Sequence, residues 1–331
     1  VGAHADADDA DLGDIGVFQH VGVADVGLDR RQRLVRTRQI GLADGERHVG
    51  GAVGAQAGVE LVAAHLGEVV TLRVEEQCFQ EGARILHFNG EGFLTSNGAL
   101  RYVPSYEIPD SAESYFLGED EKGIHYYVLN STKFYGHHED YKTIRELDLN
   151  DQEVGLAVHA QGLSLWHTRH PMCSMCGKET VAHLAGSIRK CIRCETDHYP
   201  RTDPAIIVLA RDKDDRILLG RQSRWPEHRF STFAGFVEPG ESFEAAVVRE
   251  CEEEAGVFVA NIQYVGSQPW PFPASLMVAF VAEIVNPEGA RPDGEEILEI
   301  KWLSRDSIIE ELKNETLLLP PKLSVARAMI E

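Results

Sequence analysis

Positive charge is scarce in this 331-residue chain, which has 32 lysines and arginines against 53 aspartates and glutamates and a formal net charge of −21. That balance argues against a broad nucleic-acid-binding surface and against an anionic membrane face. Long hydrophobic runs are also lacking, and no positively charged segment followed by an apolar stretch opens the chain, so we expect a soluble, cytoplasmic protein. The length and the 43% hydrophobic content predict about two globular domains.

The first 91 residues lack Ser, Pro, Lys, Tyr, Trp and Met altogether. They are built mainly from residue types with GC-rich codons, and this bias ends near Asn89. Two interpretations of residues 1–91 stay open: a weakly structured acidic extension, or sequence that arises from an upstream start or a shifted reading frame. We favour the second interpretation and assign no function to this segment.

From residue 92 the composition becomes ordinary, and short apolar runs alternate with turn residues up to about residue 136. This pattern predicts a small β-rich N-terminal domain over residues 92–165, with a helix over 145–161 near its end. His137 and His138 form no catalytic constellation with other residues of this segment, and we expect them on the surface.

Cysteine is rare as well, with six in the chain, yet four of these fall in two CxxC pairs separated by fourteen residues. Two such pairs at this spacing predict a zinc ribbon over residues 166–200, in which four thiolates close a tetrahedral, structural site. A redox motif would contain a single CxxC pair, and disulfides are unusual in a cytosolic chain. The predicted zinc ligands are Cys173, Cys176, Cys191 and Cys194.

The last part of the chain, residues 201–331, predicts a mixed α/β (α+β) domain. Continuous apolar runs near 205–212, 216–222, 275–285 and 296–304 have the length of buried strands. Helices are expected over 305–313 and 321–330. The coarse architecture is a mixed sheet with helices on both faces.

A third helix is predicted where Glu241 precedes the run RECEEEAGV, which starts at Arg249. Glu250, Glu253 and Glu254 lie at positions i, i+3 and i+4, which forces three carboxylates together on one face of the helix. Like charges at that spacing cost a helix about 0.2–0.5 kcal/mol per pair, so a cation would compensate them, and oxygen ligands suit Mg2+ or Mn2+.

The same stretch can also be an ordinary acidic, solvated helix face. However, Gly235, Glu241 and Arg249 complete the pattern Gx5Ex7REUxEExGU, in which U is apolar, without any departure. This pattern resembles the Nudix box. The resemblance implies an αβα sandwich and a hydrolase that holds divalent metals against a diphosphate linked to a nucleoside.

A second motif, SQPWPFPAS over residues 267–275, follows the box. Three prolines that alternate with aromatic residues make a stiff loop, which either presents Trp270 and Phe272 as flat surfaces or places them in the core. Together with the upstream zinc ribbon, this loop resembles the NADH pyrophosphatase family of Nudix hydrolases. The resemblance is tight over 166–331 and loose over 92–165, and it does not cover 1–91.

The resemblance implies a set of site residues and a homodimer. Glu253 and Glu254 would be catalytic, with Glu253 as the base that takes a proton from the attacking water. Mg2+ or Mn2+ would be held by Ala234 (through its carbonyl), Glu250, Glu253, Glu254 and Glu296, with Glu295 as the competing choice for the last position. Substrate would contact Tyr199, Gln268, Pro269, Trp270, Pro271, Phe272, Pro273, Ala274, Ser275 and Ala326. Bacterial relatives have an acidic substrate contact where this chain has Ala185, Gly186 and Ser187, which is a departure from the family.

The implied reaction is hydrolysis of NAD(H) to AMP and nicotinamide mononucleotide, and removal of NAD caps from RNA 5′ ends is compatible with it. Two alternatives stay open. A Nudix hydrolase of ADP-ribose or another nucleoside diphosphate derivative would leave the SQPWPFP loop unexplained. A zinc-ribbon nucleic-acid-binding protein with an inactive hydrolase domain would not explain the intact box or the acidic chain.

Overall fold

The computed structural model describes residues 82–108, 113–132 and 140–331. Within these residues it contains sixteen strands and four α-helices. The strands are β1 Arg84–Phe88, β2 Phe93–Ser96, β3 Ala99–Leu100, β4 Tyr102–Val103, β5 Glu113–Glu119, β6 His125–Asn130, β7 Tyr141–Lys142, β8 Thr180–His183, β9 Ile188–Cys191, β10 Asp197–His198, β11 Asp203–Arg211, β12 Ile217–Gln222, β13 Phe233–Phe236, β14 Val259–Trp270, β15 Ser275–Ile284 and β16 Ile297–Leu303. The helices are α1 Asp151–Arg169, α2 Phe243–Ala255, α3 Arg305–Lys313 and α4 Val325–Ile330.

The N-terminal domain is a seven-stranded sheet in the order β3-β2-β1-β6-β5, with β4 paired to β1 and β7 to β2. Strand β1 lies before the expected domain boundary at residue 91, and it pairs with β2, β4 and β6 and buries Ile85, Leu86 and Phe88. Residues 1–81 of the expected extension lie outside the described residues, as do His137 and His138.

Helix α1 packs on this sheet and is longer and later than the predicted helix over 145–161. Asn150 begins it, since its side chain accepts a hydrogen bond from the Glu153 backbone while Glu153 reaches back to Asn150. The helix continues to Arg169 because the turns beyond residue 161 carry buried side chains, among them Trp166 and His167. The start of the expected helix, around Ile144–Glu146, is instead a separate single turn of 3-10 helix.

The zinc-ribbon segment has its own small sheet, β10-β9-β8, and a buried hydrogen-bond network joins it to the N-terminal domain. His167 Nε2 donates to the Gly186 carbonyl at 2.7 Å, and His167 Nδ1 accepts from Arg189 Nη1 at 2.9 Å. The Tyr115 ring stacks on the imidazole with 3.8 Å between centroids. The imidazole is therefore held neutral, and burial lowers the pKa of His167 to about 4.

This depressed pKa predicts a loss of stability in mild acid. The unfolded chain binds a proton at His167 near pH 6.5, whereas the folded protein resists protonation until about pH 4, so this stabilisation is complete above pH 6.5 and is lost as the pH falls. We expect His167→Gln to reduce the drop in unfolding free energy between pH 7.5 and 5.5 by about 1 kcal/mol. Urea denaturation of both proteins at the two pH values measures this difference, and equal pH dependence in both would contradict it.

The C-terminal domain has a six-stranded mixed sheet in the order β14-β15-β11-β12-β16, in which β13 also pairs with β11. Of these strand pairs, β11–β15 is parallel and the others are antiparallel. Alternate residues of β11 point to opposite faces. Ile206 and Val208 belong to the core under α2, while Ile207 and Leu209 contact the cores that include α4 and neighbouring segments. This is the expected arrangement of a mixed sheet between helices, and the α/β fold prediction is confirmed.

Two further predictions differ in detail from the structure. Helix α4 begins at Val325 rather than at Pro321, because Ser324 is its N-cap and accepts a hydrogen bond from the Arg327 backbone. Strand β14 extends as far as Trp270 although it contains Pro269. A proline is tolerated there since β14 lies at the edge of the sheet. Among the described residues, no helix is both long and apolar enough to cross a membrane.

Candidate functional site

Helix α2 carries the acidic cluster, and its ends are set by local sequence. The Ser242 side chain accepts a hydrogen bond from the Ala245 backbone at the start, and Gly256 ends the helix with φ 65°, a left-handed conformation that favours glycine. Ala246, Val247 and Cys251 face the core under the sheet. This packing fixes the rotation of the helix and hence the direction of its carboxylates.

The three glutamates of α2 have different surroundings. Glu250 and Glu254 are buried, at 8% and 4% exposure, whereas Glu253 is exposed. Glu254 Oε2 has no hydrogen-bond partner among the described residues. Burial, followed by the negative charges of Glu296 and Glu250, raises the pKa of Glu254 to about 8. A buried carboxylate with repelling neighbours and an unpartnered oxygen is a group that a cation would stabilise.

Arg249 uses all five of its N–H groups as donors, and four of them hold acidic side chains in place. Nε and Nη2 donate to the two oxygens of Glu241 at 2.8 and 2.9 Å. Nη1 donates to Glu250 at 2.7 Å and to Glu253 at 3.1 Å, and Nη2 also donates to the Phe236 carbonyl at 2.9 Å. The hydrogen bonds from Arg249 lower the pKa of Glu241 to about 2. Because its donors are used within the protein, Arg249 orients carboxylates.

Gly235 provides room for the acidic cluster. A Cβ atom at this position would overlap the carboxylate of Glu250, so that a larger residue would displace this carboxylate. The preceding residue, Ala234, lies in β13 opposite Ile207. A hydrogen bond from its backbone to Glu254 lowers the pKa of that carboxyl group, but burial raises the pKa by more. Ala234 and two of the expected carboxylate ligands, Glu250 and Glu254, therefore lie side by side.

Glu296 precedes β16 and reaches the same region, because its charge raises the pKa of both Glu250 and Glu254. Gln222, at the end of β12, donates a hydrogen bond to Glu296 at 3.0 Å. Glu295, the competing choice, is not among the main causes of either shift. Sequence analysis missed Gln222, which no motif marks and which only the pairing of β12 with β16 brings to the site.

The four predicted zinc ligands come together. All four Sγ atoms lie within 4.8 Å of one another, and no other group of three or more potential ligand side chains within the described residues is as close. Backbone N–H groups of Met175, Arg193 and Cys194 point at the sulfur atoms of the two knuckles. Such N–H donors stabilise thiolates. The cluster can therefore hold a metal ion, and its all-sulfur donor set is typical of zinc.

The SQPWPFP loop begins in β14, an edge strand of the C-terminal sheet. It lies at the same end of that sheet as Phe236. Gln268 pairs with Met277, Met277 with Ala205 and Ala205 with Phe236, so these four residues form one row across four strands. At about 4.8 Å per strand, the loop starts roughly 14 Å from Phe236. The loop and the acidic cluster can therefore contact the two ends of one extended ligand.

The predicted substrate contacts differ in their accessibility. Tyr199 is 61% exposed, Trp270 and Phe272 are half-buried, and Ala326 is buried in α4. The amide of Gln268 is engaged within the protein, since it donates to the Leu323 carbonyl at 2.7 Å and accepts from the backbone of α4 at 2.7 Å. Gln268 thus holds the start of α4 against the loop. The remaining members of the predicted set are Pro269 in β14, Pro271, Pro273 and Ala274 in the turn between β14 and β15, and Ser275 at the start of β15.

Comparison with known proteins agrees with these features. A NUDIX domain model matches residues 201–321. The NAD-capped RNA hydrolase NUDT12 of Macaca fascicularis is 38% identical over 197 residues, which are 56% of this chain and 42% of the relative. The NAD-capped RNA hydrolase NudC of Mycobacterium bovis is 36% identical over 270 residues, which are 76% of this chain and 85% of the relative. The chain therefore spans less than half of the first relative and most of the second.

A solved NUDIX hydrolase structure from Nitrosomonas europaea is 23% identical, covers 41% of this chain and 78% of its own, and has a TM-score of 0.35.

Proposed function

Because the chain belongs to the NADH pyrophosphatase family of Nudix hydrolases, we propose that it hydrolyses the diphosphate bond of NAD(H) to AMP and nicotinamide mononucleotide. The observation that carries the proposal is the buried Glu254, whose Oε2 has no partner among the described residues and whose pKa is raised by burial and by the charges of Glu296 and Glu250. That arrangement is unfavourable for a protein alone and favourable around a divalent cation.

The residues present fit such a cation. Glu250, Glu254 and Glu296, with the Ala234 carbonyl beside them, would hold Mg2+ or Mn2+, and Glu253 would complete the set. A divalent cation at this place supplies neutralisation of the negative charge that develops on the diphosphate. We also propose that Cys173, Cys176, Cys191 and Cys194 hold one structural zinc ion.

The chain's own groups have separate tasks in the proposed reaction. The oxygen of a water molecule forms a bond to one phosphorus, and the bond from that phosphorus to the bridging oxygen breaks. Glu253, an exposed carboxylate of α2, takes the proton of the attacking water. Arg249 keeps Glu253 and Glu250 oriented, and the loop over residues 268–275 binds a nucleoside end of the substrate.

A second candidate substrate is NAD-capped RNA, because NudC and NUDT12 are both described as NAD-capped RNA hydrolases. ADP-ribose and other nucleoside diphosphate derivatives stay as alternatives, and so does a nucleic-acid-binding protein without activity. A homodimer and a cytoplasmic location stay predictions.

Product analysis with NADH, NAD+, ADP-ribose and NAD-capped RNA side by side tests the proposal. We expect AMP and nicotinamide mononucleotide from NADH in the presence of Mg2+ or Mn2+, and no products with EDTA. If ADP-ribose is hydrolysed with much higher kcat/KM than both NAD forms and capped RNA, the dinucleotide assignment is wrong. Absence of hydrolysis with all four would support the inactive-domain alternative.

Removing the Trp270 side chain tests the role of the loop. Stacking of a base on an aromatic side chain contributes about 1–3 kcal/mol, so Trp270→Ala should lower kcat/KM for NADH about 5- to 150-fold. The Mg2+ dependence should stay that of the wild type. Tyr264→Ala is the matched control, since it removes an exposed aromatic ring from the same strand. Equal kcat/KM in the two variants would mean that the loop has only a structural role.

A further inference from the structure

Two side chains of the N-terminal domain hold the middle of the SQPWPFP loop. The guanidinium carbon of Arg145 lies 3.9 Å from the centroid of the Phe272 ring and 5.2 Å from that of Trp270. Gln161 Nε2, on helix α1, donates a buried hydrogen bond of 2.6 Å to the Pro271 carbonyl. Cation–π attraction and a buried hydrogen bond are both directional, so these contacts restrain the orientation of the loop as well as its position.

Packing reinforces these two contacts. The Phe272 side chain packs against the buried core of the N-terminal domain, which includes Leu163 and Trp166 of α1. The backbone of α1 comes so close that a Cβ atom at Gly162 would be in van der Waals contact, 3.5 Å from Pro271 Cβ. Phe272 is thus an anchor that enters another domain, whereas Trp270, which lies 4.9 Å from it between ring centroids, is supported by that anchor.

The start of the loop is fixed separately, through the two hydrogen bonds between Gln268 and the segment that begins α4. Contacts from the C-terminal domain therefore hold residue 268, and contacts from the N-terminal domain hold residues 270–272. Gln161 lies 110 residues before Pro271 in the sequence. The middle of the loop is therefore supported by a different domain from the one that carries the acidic cluster.

We propose that Arg145 and Gln161 are positioning residues for substrate binding: the N-terminal domain orients Trp270 and Phe272 and so sets KM for dinucleotides, while the carboxylates of α2 set kcat. This inference rests on the proposed function, because it requires the loop to bind a nucleoside end of the substrate. The β-rich domain thereby takes part in substrate recognition, and no motif around Arg145 or Gln161 indicates this role.

The experiment compares steady-state NADH hydrolysis by the full chain and by Arg145→Met, Arg145→Lys, Gln161→Met and Arg84→Met. Arg84→Met is the matched control, since Arg84 lies over Tyr102 and Tyr126 in the same domain at 5.4 and 5.9 Å from their centroids. We expect Arg145→Met and Gln161→Met to raise KM about 3- to 30-fold with kcat within about twofold of the wild type. Arg145→Lys, which keeps the cation, should lie closer to the wild type, and Arg84→Met should leave KM unchanged.

A second readout does not depend on activity. With 5-fluorotryptophan in place of the four tryptophans, the 19F resonance of Trp270 is identified by its loss in Trp270→Phe. It should shift in Arg145→Met and stay in place in Arg84→Met. Arg145 is exposed, so its variants decide the question even if the buried Gln161→Met does not fold.

The proposal is overturned if an Arg145→Met enzyme keeps the wild-type KM and Trp270 resonance, or if Arg84→Met raises KM equally. Failure of the proposed function is recognised differently, because the wild-type protein would then not hydrolyse NADH, whatever the resonance of Trp270 shows.

Discussion

Glu254→Gln is expected to lower kcat for NADH by about 10²- to 10³-fold or more while KM changes little. The substitution removes one negative charge from the proposed cation site, where it would act on the charge that develops at phosphorus in the transition state. Loss of an interaction that is stronger in the transition state than in the ground state lowers kcat. The proposed contacts of the loop with the nucleoside end would be unaffected, so binding should persist.

The fold should tolerate this substitution. With a pKa raised to about 8, Glu254 is largely protonated at pH 7 when no cation is bound, and glutamine has nearly the shape of a protonated glutamate. We therefore expect the unfolding free energy of Glu254→Gln, measured in EDTA, to equal or exceed that of the wild type. Loss of activity can then be assigned to chemistry.

Glu252→Gln is the matched control, because it removes the same charge from an exposed position of the same helix. Its kcat and its Mg2+ dependence should equal those of the wild type. If Glu254→Gln keeps more than a tenth of the wild-type kcat, or if Glu252→Gln is equally impaired, the assignment of Glu254 to the cation site is wrong.

The sequence predicts those parts of the fold whose signals are local. The cap at Ser242, the terminating Gly256 and the apolar face between them determine α2, and four of the six strands of the C-terminal sheet, β11, β12, β15 and β16, show as apolar runs close to their observed bounds. The CxxC spacing likewise predicts a cluster that the structure brings within 4.8 Å. Local hydrogen bonding and backbone conformation suffice for such features.

Other features depend on contacts between distant segments and leave no local signal. Strand β1 begins at Arg84, inside a stretch of unusual composition, and is specified by its pairing with β6. Gln222 and Glu296 meet across two strands, and Gln161 meets Pro271 across two domains. Composition and periodicity describe one segment at a time, so these parts of the candidate site could be found only in the structure.

The four-cysteine cluster provides the second large expected effect. Cys191 is buried, and its Sγ lies 3.5 Å from that of Cys176 and accepts backbone hydrogen bonds from residues 193 and 194. If four thiolates hold one zinc ion, Cys191→Ser should release the ion and lower the unfolding free energy by about 3 kcal/mol or more, since a structural zinc ion contributes its binding energy to folding.

The consequences should extend beyond the ribbon, because Arg189 and Thr180 of the ribbon sheet share the buried network with His167 of α1. Loosening the ribbon would therefore also weaken α1, which carries Gln161 and contacts the SQPWPFP loop. We expect the variant to be less stable and to have a raised KM for NADH at temperatures where it is still folded. Atomic absorption checks the release of zinc, and chemical denaturation checks the loss of stability.

Cys251→Ala separates these effects from ordinary loss of core packing. Cys251 is fully buried under the C-terminal sheet and belongs to no metal cluster among the described residues. Its removal should lower stability by about 1 kcal/mol through the small cavity that it leaves, with one zinc ion still bound per chain. If Cys251→Ala and Cys191→Ser retain equal zinc, or if the wild-type protein prepared without chelator contains none, the cysteine cluster is not a structural zinc site.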